Sequence, residues 1–213
     1  MKTEFYLFDF DGVLVDSMEF WAGIHMQTLR DAGIPIPHNF VETITPLGNY
    51  HGAKYTLSLG VNIPLEQYLD DIYKKLLAAY TTHIQLKECV KEVLVQLKQE
   101  NISLNVLTAS PHLYVDPCLQ RNGIYDLFDN VWTIDDFSLT KAQPEIYLKA
   151  AERLGVETGQ CTMFDDNLTA IATAKKAGTR TVAVYDKTSK ASENALKETA
   201  DRYIYNFREL KMA

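Results

Sequence analysis

The spacing of the hydrophobic positions changes near Ser17. Before this point, Thr3 to Phe10 is a short, mostly apolar run followed by the breaker Gly12, which predicts one buried strand. After it, apolar residues recur every three or four positions over residues 18–32, a period typical of an amphipathic helix. The same period over residues 65–80 predicts a second long helix. The pattern therefore predicts one strand followed by a helical segment.

Shorter helical pieces are predicted between residues 40 and 59, around Pro46 and Gly48. From residue 84 onward, strand patterns alternate with helix patterns, which indicates a parallel sheet covered by helices on both faces. We therefore predict an α/β fold with a doubly wound parallel-sheet, Rossmann-like core of residues 1–16 and 84–213. An all-helical cap domain, residues 17–83, is inserted after the first strand. The predicted core strands are 103–108, a short one near 131, 161–164, 181–184 and a short one near 203, and the predicted core helices are 90–97, 113–120, 145–154 and 168–177.

Composition and charge narrow the classes of function. The 213 residues are 46% hydrophobic, so the chain can bury a sizeable core, and its net charge of -7 argues against a broad nucleic-acid surface. No apolar tract approaches the roughly 20 residues that span a bilayer, and the first residues lack a signal-peptide pattern. Three cysteines without a CxxC pair predict reduced thiols rather than a disulfide framework or a zinc site. We therefore expect a cytoplasmic monomer or weak homodimer that binds neither nucleic acid nor membranes.

Polar residues follow three of the predicted strands. Asp9 and Asp11 follow the first strand, Thr108 to Ser110 follow the second, and Asp165 and Asp166 follow a later one. Because the carboxyl ends of parallel strands meet at one edge of a sheet, we expect the four carboxylates to converge if these strands are neighbours. Clustered carboxylates raise one another's pKa unless a cation is bound, and oxygen ligands without His or Cys favour Mg²⁺.

A further positive charge is available from Lys141, which stands just before a predicted helix and could contact the oxygens of a bound phosphate. Several of these residues could instead have an ordinary structural role. These roles are a surface position for Lys141, a turn at Thr108 and Ser110, and an N-cap at Asp165, Asp166 or Asn167.

Four segments resemble the signature motifs of the haloacid dehalogenase-like superfamily, in the same order along the chain. Asp9 to Ser17 matches DxDGxxxDS, and Leu104 to Thr108 is a hydrophobic strand that ends in Thr. Lys141 to Tyr147 matches KPxPxxY with Ala142 in place of the first proline, and Phe164 to Asp166 supplies the acidic pair. The resemblance covers nearly the whole chain.

This resemblance implies an enzyme, a Mg²⁺-dependent phosphatase that hydrolyses a small organic phosphate monoester through an aspartyl-phosphate. Asp9 would be the nucleophile, and Asp11 would protonate the leaving oxygen and then deprotonate the attacking water. The implied metal ligands are Asp9, the backbone carbonyl of Asp11, and the region of Asp165 and Asp166. The residues implied to bind the phosphoryl group are Thr108, Ala109, Ser110 and Lys141.

Within the superfamily, the helical insertion resembles the cap of the β-phosphoglucomutase and phosphoglycolate phosphatase group. Asp11 favours phosphoryl transfer from oxygen, because dehalogenases lack this second aspartate. Trp21 stands where the mutase pattern has His, and His51 follows Gly48 where the mutase loop offers Arg, so we favour a phosphatase.

Two alternatives remain open, a sugar phosphomutase and a non-catalytic relative that binds phosphate or protein. His25 lies on the apolar stripe of the first helix, so we expect it to pack or to line a cleft rather than to bind a metal. The cap residues expected to set substrate specificity are Trp21, Gly48, Asn49, Tyr50, His51 and Lys54.

Overall fold

The computed structural model describes residues 4–212, apart from the side chains of Pro46, Lys211 and Met212. Six parallel strands form one sheet in the order β3-β2-β1-β4-β5-β6, which confirms the predicted α/β fold. The strands are β1 Phe5–Phe8, β2 Ser103–Thr108, β3 Asn130–Thr133, β4 Cys161–Asp165, β5 Arg180–Val184 and β6 Arg202–Ile204.

The strand order reverses next to β1. The chain runs outward from β1 to β2 and β3, and then returns to place β4 on the other side of β1. In doubly wound sheets, ligands bind at the carboxyl ends of the strands where such a reversal occurs. The residues that follow β1 and β4 therefore flank the expected binding crevice.

The inner strands are buried along their whole length, although they also carry polar residues such as Asn105 and Thr162. Every residue of β2 and β4 is buried, and Phe8 of β1 stacks on Phe164 of β4 with ring centroids 4.6 Å apart. Helices cover both faces of such a sheet, so neither face of an inner strand needs polar residues. The helices are α1 Met18–Asp31, α2 Phe40–Ile44, α3 Gly48–Ser58, α4 Leu65–Thr82, α5 Val90–Gln99, α6 His112–Arg121, α7 Glu145–Leu154, α8 Leu168–Lys176 and α9 Glu193–Thr199.

Helices α1 to α4, here called the cap helices, lie between β1 and β2 in the sequence. They have a small apolar cluster of their own that includes Leu29, Phe40 and Ile44. Helix α4 also packs against α6 of the sheet-flanking layer, where Tyr80 stacks on Tyr114 with ring centroids 5.1 Å apart. The cap helices are thus joined to the sheet portion by aromatic packing as well as by the two connecting segments.

Two elements differ from the sequence-based expectation. The first strand is shorter than predicted, although the Asp9 N–H still donates to the Phe164 carbonyl at 2.9 Å, and Thr3 lies outside the described residues. Helix α9 was not predicted, because Leu196 is its one buried position and a single apolar residue produces no period. No helix in the described part of the chain is long and apolar enough to cross a membrane.

Candidate active site

Three buried carboxylates meet at the carboxyl ends of β1 and β4. One carboxylate oxygen each from Asp9, Asp165 and Asp166 lies within 4.8 Å of the others. The Asp9 side chain is placed by the backbone hydrogen bond to Phe164, which continues the β1–β4 pairing one residue past the strand. The neighbouring strands thus bring together three of the four acids that sequence analysis singled out.

Lys141 bridges two of these acids. Its Nζ lies 2.7 Å from Asp9 Oδ2 and 2.8 Å from Asp165 Oδ2. Burial by itself lowers the pKa of Lys141, but the charges of Asp165 and Asp9 outweigh burial and raise the pKa above its ordinary value. The Tyr147 hydroxyl lies 3.0 Å from the Lys141 carbonyl oxygen and helps to fix this segment. Lys141 is therefore a mostly buried cation, with 11% of its side chain exposed, rather than a surface lysine.

One lysine does not balance three carboxylates. Burial raises the pKa of Asp165, and the nearby Asp9 adds to this increase while Lys141 offsets part of it. The pKa of Asp166 is raised well above its ordinary value by burial and by the charges of Asp165 and Asp9. The unbalanced negative charge and the purely oxygen donor set fit a hard divalent cation such as Mg²⁺.

Gly12 makes room for this carboxylate group. Its φ of +72° lies in the left-handed region, and a Cβ built there would lie 2.8 Å from Asp166 Oδ2. Glycine is needed here for both its backbone conformation and its lack of a side chain.

The helix after β4 is capped by a different residue. Asn167 Oδ1 accepts hydrogen bonds from the N–H groups of Thr169 and Ala170, as an N-cap does. Asp165 Oδ1 instead accepts the Asn167 N–H at 2.9 Å. Of the three N-cap candidates, Asn167 has this role, and the Asp165 and Asp166 carboxylates face the acidic group.

The carboxylate of Asp11 has separate surroundings, outside the three-acid group. Hydroxyls from Ser17 and Tyr80 each donate to Asp11 Oδ1 at 2.5 Å, and the Ser110 hydroxyl donates to Oδ2. Burial raises the pKa of Asp11, whereas the hydrogen bonds from these three hydroxyls lower it. Trp21 Nε1 donates to the Tyr80 oxygen at 2.7 Å, so the Tyr80 proton is directed toward Asp11.

Sequence analysis did not find Tyr80 as a partner of Asp11. The apolar period of α4 indicates only that this position is buried, and no signal in the sequence shows where its hydroxyl points. Lys87 was also missed, because it lies in an irregular connection between helices. Its Nζ donates to the carbonyls of Gly12 and Tyr185, both at 2.6 Å, and lies 3.2 Å from Asp186 Oδ2.

The end of β2 forms another wall of the site. Thr108 is buried and its Oγ1 accepts the Ser110 N–H at 3.1 Å, so the turn and the site share these residues. Thr108 and Ala109 line a cavity of about 630 Å³ together with Lys141 and the acids Asp9 and Asp11. This catalytic-side cavity is the space in which a phosphate could contact the predicted residues.

A second cavity of about 280 Å³ extends toward the cap helices, and is here called the cap-side cavity. Of the predicted specificity residues, Trp21, Gly48 and Asn49 line it. The other three, Tyr50, His51 and Lys54, are exposed and line neither cavity; the Tyr50 ring contacts that of His51 and lies under the Lys54 ammonium.

His25 also lines the cap-side cavity, although it is almost completely buried. Its Nδ1 lies 3.0 Å from Thr56 Oγ1 and 2.9 Å from the Tyr68 hydroxyl. Burial lowers the pKa of His25 to about 4, so the ring is neutral at neutral pH. The packed, cleft-lining position agrees with the expectation for this histidine.

Comparisons of the sequence with known proteins identify relatives of this chain. The family model described as haloacid dehalogenase-like hydrolase matches residues 6–184. The chain is 31% identical to validoxylamine A 7'-phosphate phosphatase of Streptomyces hygroscopicus subsp. limoneus, over 81% of each chain. It is 25% identical to a phosphorylated carbohydrates phosphatase of Thermotoga maritima, over 82% of each chain.

A solved structure shows the same fold at lower sequence identity. The crystal structure of a predicted phosphoglycolate phosphatase from Haemophilus somnus aligns with a TM-score of 0.83 and 20% identity, and the alignment covers 100% of this chain and 98% of that one. The shared architecture therefore extends over the cap helices as well as the sheet.

Proposed function

Because this chain belongs to the haloacid dehalogenase-like hydrolases, we propose that it is a Mg²⁺-dependent phosphatase acting on a small organic phosphate monoester. The observation that carries the proposal is that two acids lining the same cavity, Asp9 and Asp11, have different surroundings. Asp9 lies against Lys141 and the other acids, whereas Asp11 lies among hydroxyls. Two relatives named as phosphatases support the same reaction.

Asp9 is the nucleophile in this proposal. Its carboxylate attacks phosphorus and forms an aspartyl-phosphate, which divides one difficult displacement into two easier ones. Lys141 holds Asp9 Oδ2 at 2.7 Å and leaves the other carboxylate oxygen free of this contact. Asp9, Asp165, Asp166 and the Asp11 carbonyl would hold Mg²⁺, which when bound offsets the repulsion between the nucleophile and the phosphate.

Asp11 is the acid and base. It gives a proton to the leaving oxygen, which departs as the alcohol, and then takes one from the water that attacks the aspartyl-phosphate. The hydroxyls of Ser17, Tyr80 and Ser110 orient its carboxyl for both steps. Thr108, Ala109 and Lys141 bind the phosphoryl oxygens as charge redistributes, and Ser110 contributes to this wall of the site.

The partner of the protein is then a small phosphorylated metabolite. We place the protein in the cytoplasm, in keeping with its free cysteines Cys89, Cys118 and Cys161. We expect it to be a monomer or weak homodimer.

The test is release of inorganic phosphate from a panel of phosphorylated metabolites with Mg²⁺, compared between wild type and Asp9→Asn. We expect turnover of at least one compound by wild type and at least a thousandfold less by the variant, since the nucleophile is removed. Isomerisation of a sugar phosphate without phosphate release would indicate the mutase alternative. Turnover no higher than that of Asp9→Asn for every compound would exclude the phosphatase proposal.

A further inference from the structure

The two cavities adjoin at the catalytic acid. Both are lined by Asp11, Met18, Thr45 and Ala109, so a molecule that places its phosphate at Asp9 has its remainder beside the cap-side cavity. Asp11 protonates the leaving oxygen in the proposed reaction, and that oxygen joins the phosphate to this remainder. The cap-side cavity is therefore the space available to the alcohol portion of the substrate.

The charges around this space exclude a second anionic group. Among the described residues that line either cavity, Lys141 is the one lysine or arginine, and it is already bound to Asp9 and Asp165. Glu42 adds a negative charge to the lining, and His25 is neutral at neutral pH. A carboxylate or second phosphate on the alcohol portion would lose its hydration without gaining a cationic partner.

The walls of the cap-side cavity are mixed rather than uniformly apolar. Trp21, Ala22 and Ile44 offer apolar surface to carbon–hydrogen groups. Asn49 offers a polar group, and its Oδ1 is buried without a hydrogen-bond partner in the part of the chain that the structure describes. An unpaired buried acceptor destabilises the free protein. Because Oδ1 has almost no accessible surface, a ligand hydroxyl would satisfy it once the Asn49 amide rotates toward the cavity.

The volume of the cap-side cavity indicates how large an alcohol portion it can hold. A volume of about 280 Å³ corresponds to roughly nine water molecules at about 30 Å³ each, which matches an alcohol of five or six carbons.

From these observations we infer that the substrate is a monophosphate of a neutral, hydroxylated alcohol of five or six carbons, and that Asn49 selects it by hydrogen bonding to one of its hydroxyls. This inference rests on the proposed phosphatase function. It adds the chemical class of the alcohol portion and a specificity residue on α3.

The first test compares substrates that differ in one group. Glucitol 6-phosphate and 6-phosphogluconate share their size and most of their hydroxyls, but the second carries a carboxylate. We expect kcat/KM with Mg²⁺ to be at least tenfold higher for glucitol 6-phosphate. Equal or better turnover of 6-phosphogluconate would overturn the charge selection while leaving the phosphatase proposal intact, whereas turnover of neither compound nor of any other panel member would count against the phosphatase.

The second test uses Asn49→Ala, with hexyl phosphate as a substrate that has no hydroxyls. We expect kcat/KM for glucitol 6-phosphate to fall about tenfold, mainly through KM, and kcat/KM for hexyl phosphate to change less than twofold. Because the variant removes an unpaired buried acceptor, its Tm without substrate should rise by about 2–4 °C. Asn39→Ala is the matched control, since Asn39 is an exposed cap residue that lines neither cavity, and it should leave both kcat/KM values unchanged.

A third variant adds the charge that the cavity lacks. Thr45 lines both cavities and is half-buried, so Thr45→Lys places an ammonium at their junction. We expect the preference for glucitol 6-phosphate over 6-phosphogluconate to narrow by about tenfold. A fall in Tm of Asn49→Ala with equal loss on glucitol and hexyl phosphates, or an unchanged preference in a folded Thr45→Lys, would overturn the inference.

Discussion

Gly12→Ala tests the link between backbone geometry and the acidic group. Gly12 has a φ of +72°, and an added Cβ would lie 2.8 Å from Asp166 Oδ2 and 2.9 Å from Asp166 Cγ. Gly155, at the end of α7, has nearly the same φ of +70°, but nothing lies within 4 Å of its added Cβ. Gly155→Ala therefore imposes the same backbone strain without the steric clash.

The two effects have different magnitudes and different readouts. A non-glycine residue in the left-handed region costs about 1–2 kcal/mol, so both variants should lose roughly 2–8 °C in Tm. In Gly12→Ala the Asp166 carboxylate must also move by roughly half an ångström to restore ordinary van der Waals contact. Mg²⁺ requires near-ideal geometry at about 2.0–2.1 Å, so we expect its affinity to fall about 10- to 100-fold.

The assay is a Mg²⁺ titration of phosphatase activity, with calorimetric titration of Mg²⁺ on the same samples and a thermal melt of each. Gly155→Ala should lose thermal stability but keep the Mg²⁺ affinity of wild type. If Gly12→Ala binds Mg²⁺ as tightly as Gly155→Ala does, the steric role assigned to Gly12 is wrong.

Three other variants follow from the same site. Lys141→Met removes the cation that neutralises Asp9, so in EDTA the free energy of unfolding should fall by about 3–5 kcal/mol, and Mg²⁺ should recover part of the loss in a urea titration. Tyr80→Phe removes one hydroxyl from Asp11, so kcat should fall about tenfold with little change in KM in steady-state assays. Burial lowers the pKa of His25 to about 4, so the unfolded state binds more protons than the folded state between pH 6.5 and 4. The free energy of unfolding should therefore decrease by at most about 3 kcal/mol as pH falls through this window. His25→Gln should remove this portion of the pH dependence in urea titrations.

Matched control variants distinguish these effects from a nonspecific loss of stability. Lys149→Met changes an exposed lysine of α7, so it should leave stability in EDTA unchanged. Phe at position 80 keeps the aromatic packing, so a large loss of Tm in Tyr80→Phe would contradict a role limited to Asp11. His38→Gln changes an exposed histidine, and if it flattens the pH dependence of stability as much as His25→Gln does, the assignment to His25 fails.

The acidic group could be predicted from the sequence because its position follows from topology. Parallel strands end at the same edge of a sheet, so polar residues that directly follow buried strands must lie near one another once those strands are neighbours. The pairing of β1 with β4 brings Asp9 and Asp165 together in this way. The orientation of Asp11 could not be predicted, because besides the nearby Ser17 it depends on hydroxyls from Tyr80 and Ser110, which are distant in the sequence.

The cap residues show a second reason why a linear motif is insufficient. Sequence analysis considered Gly48 to Lys54 together, but α3 begins at Gly48 and its successive side chains are about 100° apart around the helix axis. The inward side of α3 contains positions 49, 52, 53 and 56, and Gly52, Ala53 and Thr56 are buried there. The opposite side contains positions 50, 51 and 54, which are exposed. Only the helix boundary, which Pro46 and Gly48 indicate loosely, shows that Asn49 rather than Tyr50 can reach the cavity.

The different surroundings of Asp9 and Asp11 follow from where β1 ends. In a continuing strand, side chains two residues apart point to the same face, so both acids would enter one carboxylate group. Here the strand ends at Phe8, and Gly12 turns the chain through a left-handed conformation directly after Asp11. Asp9 therefore remains in contact with Lys141, while Asp11 turns toward the hydroxyls of Ser17, Tyr80 and Ser110. The break in the strand thus gives two acids that are separated by one residue different surroundings, in keeping with the different roles of a nucleophile and a proton donor.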